Sequence, residues 1–170
     1  MIRAALALAA ILFAVPAAAQ QDPVDGNCAI GSGPLVRVSV VGLKDRAERL
    51  KLELYPANET DFLRDDRDLK REGKQMRRIW AATPASGAVN LCIRAPSAGR
   101  WALLFTHDRD GKNKFNFWRD GAGFVSPDKL GRSRPKLEQA LITVPAQGAN
   151  LTIRAQYLRG LSGFAPHAGN

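Results

Sequence analysis

At 170 residues, with 45% hydrophobic and 24% charged side chains, the chain is long enough for one self-sufficient core and too apolar for a disordered polymer. Twenty-five Lys and Arg against sixteen Asp and Glu give a net charge of +9, and two cysteines exclude a four-cysteine zinc module or a disulfide-dense scaffold. No internal repeat, heptad pattern or low-complexity segment is present, which excludes solenoids and coiled coils.

At the N-terminus Arg3 precedes the apolar run Ala4 to Val15, followed by Pro16 and the small residues Ala17, Ala18 and Ala19. This is the order of a secretory signal, so residues 1–19 are expected to be cleaved and the mature chain to begin at Gln20. A membrane anchor needs roughly 18–20 apolar residues, whereas this core meets Pro16 and gives way to Gln20-Gln21-Asp22. No other apolar run is long enough to span a bilayer, so the protein is expected to be periplasmic or secreted and not an integral membrane protein. Cleavage removes only Arg3 among the charges, and the net charge falls from +9 to +8. In an oxidising compartment Cys28 and Cys92 are expected to form a disulfide. Two isolated thiols with no nearby histidine do not make a zinc site, and without C-x-x-C there is no thioredoxin-like redox motif.

Residues 20–34 read as an N-terminal extension, and from Leu35 the hydrophobic period is two. Leu35 to Val41 alternates up to Gly42, and Arg49 to Tyr55 alternates up to Pro56, a pair expected to form a hairpin around Lys44 to Ala47. Leu50, Leu52 and Leu54 then share one strand face, with Arg49, Lys51 and Glu53 on the other. Ala57 to Lys74 is polar and charged, and reads as a solvated crossover loop in which Asn58 or Thr60 caps a short helix holding Phe62 and Leu63. Met76 to Ala82 is a third strand and Val89 to Arg94 a fourth, carrying Cys92. The nearly continuous apolar run Trp101 to Thr106 is a fifth, expected to be buried on both faces. Ala140 to Val144 and Ala149 to Tyr157 supply a sixth and a seventh. Seven short strands with turn signals between them predict an all-β, antiparallel immunoglobulin-like β-sandwich over residues 35–158, followed by a disordered tail at 159–170. A lipocalin-like barrel would want eight comparable strands joined by even hairpins.

The stretch from Trp101 through His107-Asp108-Arg109-Asp110-Gly111-Lys112-Asn113 to Phe115 is followed by Gly123-Phe124-Val125-Ser126 and Pro135 to Ala140. In that order, behind an opening strand that closes in Val41-Gly42-Leu43, these residues resemble the bacterial family DUF2141, with the resemblance running from about Leu35 to Leu158. In that family a strand ending in His-Asp enters an Asn/Gly-rich loop, a Gly-Phe-Ser element and a Pro-x-Phe-x-x-Ala segment. Here Asn116 replaces the loop's terminal acid, and Val125 separates Phe124 from Ser126. The resemblance implies an exported β-sandwich module and implies no reaction.

His107, Asp108, Asp110 and Asn113 form the candidate loop site. Asp108 and Asp110 stand at the first and third positions of an EF-hand-like loop, but the fifth is Lys112, the sixth Asn113 rather than glycine and the twelfth Arg119, and Arg109, Lys112 and Lys114 oppose a cation. A hydrolase using His107 and Asp108 as base and acid would need both in one cleft, yet neighbouring strand residues point to opposite faces. No G-x-S-x-G, H-E-x-x-H or paired-cysteine motif accompanies them. The plainer reading has Asp108 and Asp110 accepting backbone amides in a tight turn, Gly111 at positive φ and His107 satisfying a buried polar neighbour. No catalytic residue, metal or cofactor is therefore assigned.

Arg132, Arg134 and Lys136 form a basic cluster with no acid between them, and Phe117 and Trp118 are the candidate exposed aromatic patch. Phe117, Trp118, Arg132 and Arg134 are thus the candidate binding surface, in the 107–133 loop region and beside it. The expectation is a non-catalytic module whose partner is an anionic glycan, a lipid head group or an envelope protein, with export arguing against nucleic acid. The alternatives are a hydrolase using His107 and Asp108 and a calcium-stabilised structural domain.

Overall fold

The computed structural model describes Cys28 and residues 31–167. The expected signal peptide and most of the 20–34 extension lie outside the described residues. The strands are β1 (Leu35–Val41), β2 (Arg49–Pro56), β3 (Arg77–Ala82), β4 (Val89–Arg94), β5 (Gly99–Asp108), β6 (Gly121–Gly123), β7 (Leu141–Val144), β8 (Ala149–Arg154), β9 (Gln156–Leu158) and β10 (Phe164–Pro166). Between them lie two short helices, α1 (Asp66–Arg71) and α2 (Leu137–Ala140), and a 3-10 turn at Gly160–Ser162. The chain is nearly all β, in two sheets that are mostly antiparallel. A small sheet has the order β4-β1-β8, with β1 antiparallel to β4 but parallel to β8. The large sheet runs β10-β9-β6-β5-β2-β3, and β7 also pairs with β5.

The period-two pattern explains how the sheets meet. Val36, Val38 and Val40 alternate with exposed residues on β1, so that strand buries one face. They pack with Leu91, Ile93 and Ile153 against Leu50, Leu52, Leu54, Leu103 and Phe105 of the large sheet, forming the main core. Each fully buried Leu there contributes about 1.5–3 kcal/mol. The outer face of the large sheet is covered too, because Tyr55 and Ala102 pack against Phe62, Leu69, Met76, Phe124, Leu137 and Ala140 in a second core. Central β2 and β5 are consequently buried along both faces, as expected for β5 alone.

Several expectations are corrected. β1 and β2 are not a hairpin: β1 is flanked by β4 and β8, while β2 lies between β3 and β5 in the other sheet. A strand buried on one face suits the outer layer, and one buried on both suits the middle. The expected seventh strand is two, because the chain changes sheets at Ala155, whose N–H donates to the Val41 carbonyl. Seven strands become ten among the described residues, β6 and β10 being only three residues each. The short helix lies at Asp66–Arg71 and is capped by Asp65, not by Asn58 or Thr60. Up to His167 the tail is ordered: β10 pairs with β9, and Gly131 bridges Phe164. Phe164 is buried, and that apolar anchor keeps the segment on the sheet.

The Cys28–Cys92 disulfide is present, with Cα atoms 5.4 Å apart. Arg94 adds hydrogen bonds to the carbonyls of Cys28 and Gly33, so the chain before β1 is fastened to β4 covalently and by a guanidinium.

Candidate functional site

His107 and Asp108 end β5 and face opposite sides of the large sheet, and their surroundings differ accordingly. The imidazole of His107 is fully buried. Its Nε2 lies 2.8 Å from the Ala47 carbonyl, and its Nδ1 lies 2.7 Å from the Tyr157 hydroxyl. A carbonyl only accepts, so Nε2 carries the proton and Nδ1 accepts from Tyr157. The Tyr157 oxygen in turn accepts from the Lys44 N–H. Every polar atom of the chain Lys44–Tyr157–His107–Ala47 is satisfied with the imidazole neutral. Burial pushes the His107 imidazole below its usual 6.5 and the Tyr157 hydroxyl up to about 12.

Asp108 is also buried, at 2% exposure. Its Oδ2 accepts from Arg49 Nε at 2.9 Å and from the Asn113 N–H at 3.1 Å. Asp110 accepts from the Lys112 N–H and from the Asn116 side-chain amide. The Asn116 hydrogen bond holds its carboxyl below the usual carboxylate range, with Lys112 and Arg119 adding to the effect. Gly111 (φ +67°) and Asn113 (φ +63°) occupy the left-handed region that lets the loop double back, the first at no steric cost. Asn113 acts through its backbone; its side chain is exposed. Asp120, buried just before β6, accepts the N–H groups of Arg109 and Asn116. Carboxylate oxygens of Asp108, Asp110 and Asp120 lie within 4.8 Å of one another. The loop from 109 to 120 is thus gathered around three carboxylates, of which Asp120 was not singled out from the sequence. The cleft shared by His107 and Asp108 that a hydrolase requires is not formed, since both side chains are buried and neither bonds the other.

The candidate binding surface is brought together in part. Phe117 is half-buried and packs on Phe164 with ring centroids 5.1 Å apart, and Phe115 packs on Phe164 at 5.9 Å. These three rings, with Arg132 and Arg134, line a cavity of about 190 Å³. Trp118 meets Phe117 edge-on but is 78% exposed and does not line that cavity. Phe115, Ala122 and Pro135 also line an adjoining cavity of about 300 Å³, which contains Lys51, Glu53 and Arg78. Glu53, 2% exposed, is paired with Lys51 at 3.0 Å and with Arg78 at 2.6 Å. Arg49 and Lys51 lie over the Trp80 ring, 4.2 and 5.2 Å from its centroid.

Lys51, Glu53 and Arg78 were missed because a strand alternating Leu with charged residues reads as having a solvated face. The signal that corrects this is the set Phe62, Leu69, Phe124 and Leu137, apolar residues outside the first-core strands that require a second surface to bury them.

No helix among the described residues is long and apolar enough to cross a membrane. No curated protein and no solved structure matches the chain. The model of a bacterial family described as "Uncharacterized protein conserved in bacteria (DUF2141)" matches residues 38–153, a span that holds the second half of the opening strand, the His-Asp turn, the carboxylate loop and most of the aromatic cleft, and the chain belongs to that family.

Proposed function

We propose that this protein is an exported, non-catalytic binding module, an immunoglobulin-like variant in its two-sheet frame, that holds a small anionic amphiphile in the cleft between the 107–133 loop region and the large sheet. The observation that carries this reading is the pair of adjoining cavities, walled by Phe115, Phe117 and Phe164, with Arg132 and Arg134 at one end and the Lys51–Glu53–Arg78 cluster in the other. Aromatic walls with a few charged groups are the composition of a ligand site. Guanidinium groups favour a phosphate or carboxylate head, and the apolar walls favour an acyl body over a glycan. Export is supported by the pattern of residues 1–19 and by the disulfide, which persists in an oxidising compartment.

The test is thermal unfolding of the oxidised chain from Gln20 with dihexanoyl phosphatidic acid, a sulfated oligosaccharide, or neither. Saturating ligand stabilises by about 2–4 kcal/mol, so the lipid is expected to raise the midpoint by several degrees. Phe117→Ala and Arg132→Ala should abolish the rise and Trp118→Ala should retain it. An unchanged midpoint with the lipid refutes the reading and leaves an envelope protein as the partner to seek.

A further inference from the structure

We propose that Asp108, Asp110 and Asp120 form a binding site for one calcium ion at the base of the 109–120 loop. Two independent observations meet there. Oxygens of the three carboxylates lie within 4.8 Å of one another, although the residues come from the end of β5, the loop and the residue before β6. Asp108, which is 2% exposed, has its Oδ2 occupied by Arg49 and the Asn113 N–H, while its Oδ1 is buried with no hydrogen-bond partner. Buried polar oxygens are nearly always satisfied, and a buried carboxylate oxygen left bare calls for a positive group.

Charge points the same way. Arg49 makes the only ion pair into the cluster among the described residues, while Lys112 and Arg119 act on Asp110, and Arg109 on Asp120, only through space, so three carboxylates share one contacting guanidinium. Arg109 is committed elsewhere, to the Asp45 carboxylate and the Arg119 carbonyl. Asp110 and Asp120 do accept hydrogen bonds, but a carboxylate offers about four lone-pair sites, so each keeps capacity for a metal.

Size selects the ion. Calcium–oxygen bonds of about 2.3–2.6 Å let ligands stand up to ~5 Å apart across the ion, whereas magnesium at about 2.0–2.1 Å demands ~4 Å and rigid octahedral geometry. Oxygens within 4.8 Å of one another fit inside calcium's reach, and ligands drawn from a loop suit its flexible coordination better than the rigid octahedron of magnesium. This is not an EF-hand: the fifth and twelfth loop positions are Lys112 and Arg119, and the third carboxylate instead comes from Asp120, thirteenth in the run.

Calorimetric titration of the oxidised chain from Gln20 with CaCl2, and in parallel with MgCl2, tests the site. One calcium per chain is expected, with a midpoint of thermal unfolding raised by several degrees and restored by EGTA. Asp110→Asn, at a partly exposed position, and Asp120→Asn should each weaken binding at least tenfold. Phe117→Ala should bind calcium normally, which separates this site from the amphiphile cleft. Absence of heat and of a midpoint shift up to about 10 mM CaCl2, above the ~1 mM of weak extracellular modules, overturns the proposal. An undiminished response in Asp110→Asn, or equal affinity for magnesium, overturns it as well.

Discussion

The hydroxyl of Tyr157 donates to Nδ1 of His107 across 2.7 Å, joining β9 to the end of β5 inside the core. The contact needs glycine at 121, where a Cβ would come within 2.4 Å of the Tyr157 ring. Tyr157→Phe leaves His107 Nδ1 and the Lys44 N–H without their partner, and the stranded groups should cost about 1–3 kcal/mol. Gly121→Ala should cost a similar amount by overpacking, about 1–3 kcal/mol. Urea unfolding of both variants checks these values.

Because burial holds His107 neutral, the unfolded chain binds a proton more readily than the folded one. The stabilisation is fully present above the unfolded value near 6.5 and is lost as pH falls from there toward the depressed folded value. Stability should therefore decline between pH 7 and 5 by at most about 1.4 kcal/mol per pH unit. His107→Gln should flatten that slope. Carboxylates whose values are lowered, such as Asp45 under the Arg109 guanidinium, act only below their usual value of 3.8, so the two effects separate on the pH axis.

Glu53 sits between Lys51 and Arg78 beneath the covering layer. Glu53→Ala leaves two cations near each other without their carboxylate and is expected to destabilise by about 3–5 kcal/mol, whereas replacing all three by apolar residues of similar volume should cost far less. Denaturant midpoints of the single and triple variants distinguish these outcomes.

The disulfide closes a loop across a sequence separation of 64 residues. By loop entropy its reduction should lower stability by about 4 kcal/mol. Equilibrium unfolding with and without dithiothreitol, alongside Cys28→Ser/Cys92→Ser, measures it.

Much of the strand layout was legible in the residues alone. Leu35–Val41 and Val89–Arg94 have the bounds their alternation implies, and the apolar run around Leu103 is buried on both faces. Side chains in a strand alternate by local geometry, so period two needs no tertiary information. The same locality explains the turn after Asp108, where Gly111 and the aspartates act over a few residues. Pairing between sheets was not legible, because which strands become neighbours depends on how both faces of each are covered. Leu50, Leu52 and Leu54 reveal one buried face of β2, but only the packing of Phe62, Leu69 and Phe124 over the other buries Lys51 and Glu53. Asp120 joins Asp108, and Phe164 joins Phe117, because β6 and β10 add to the large sheet through three-residue strands too short to carry a pattern. Local sequence determined where the longer strands and the turn after Asp108 lie, and the presence of two cysteines alone determined their bridge; tertiary packing decided which charges are buried and which distant side chains converge.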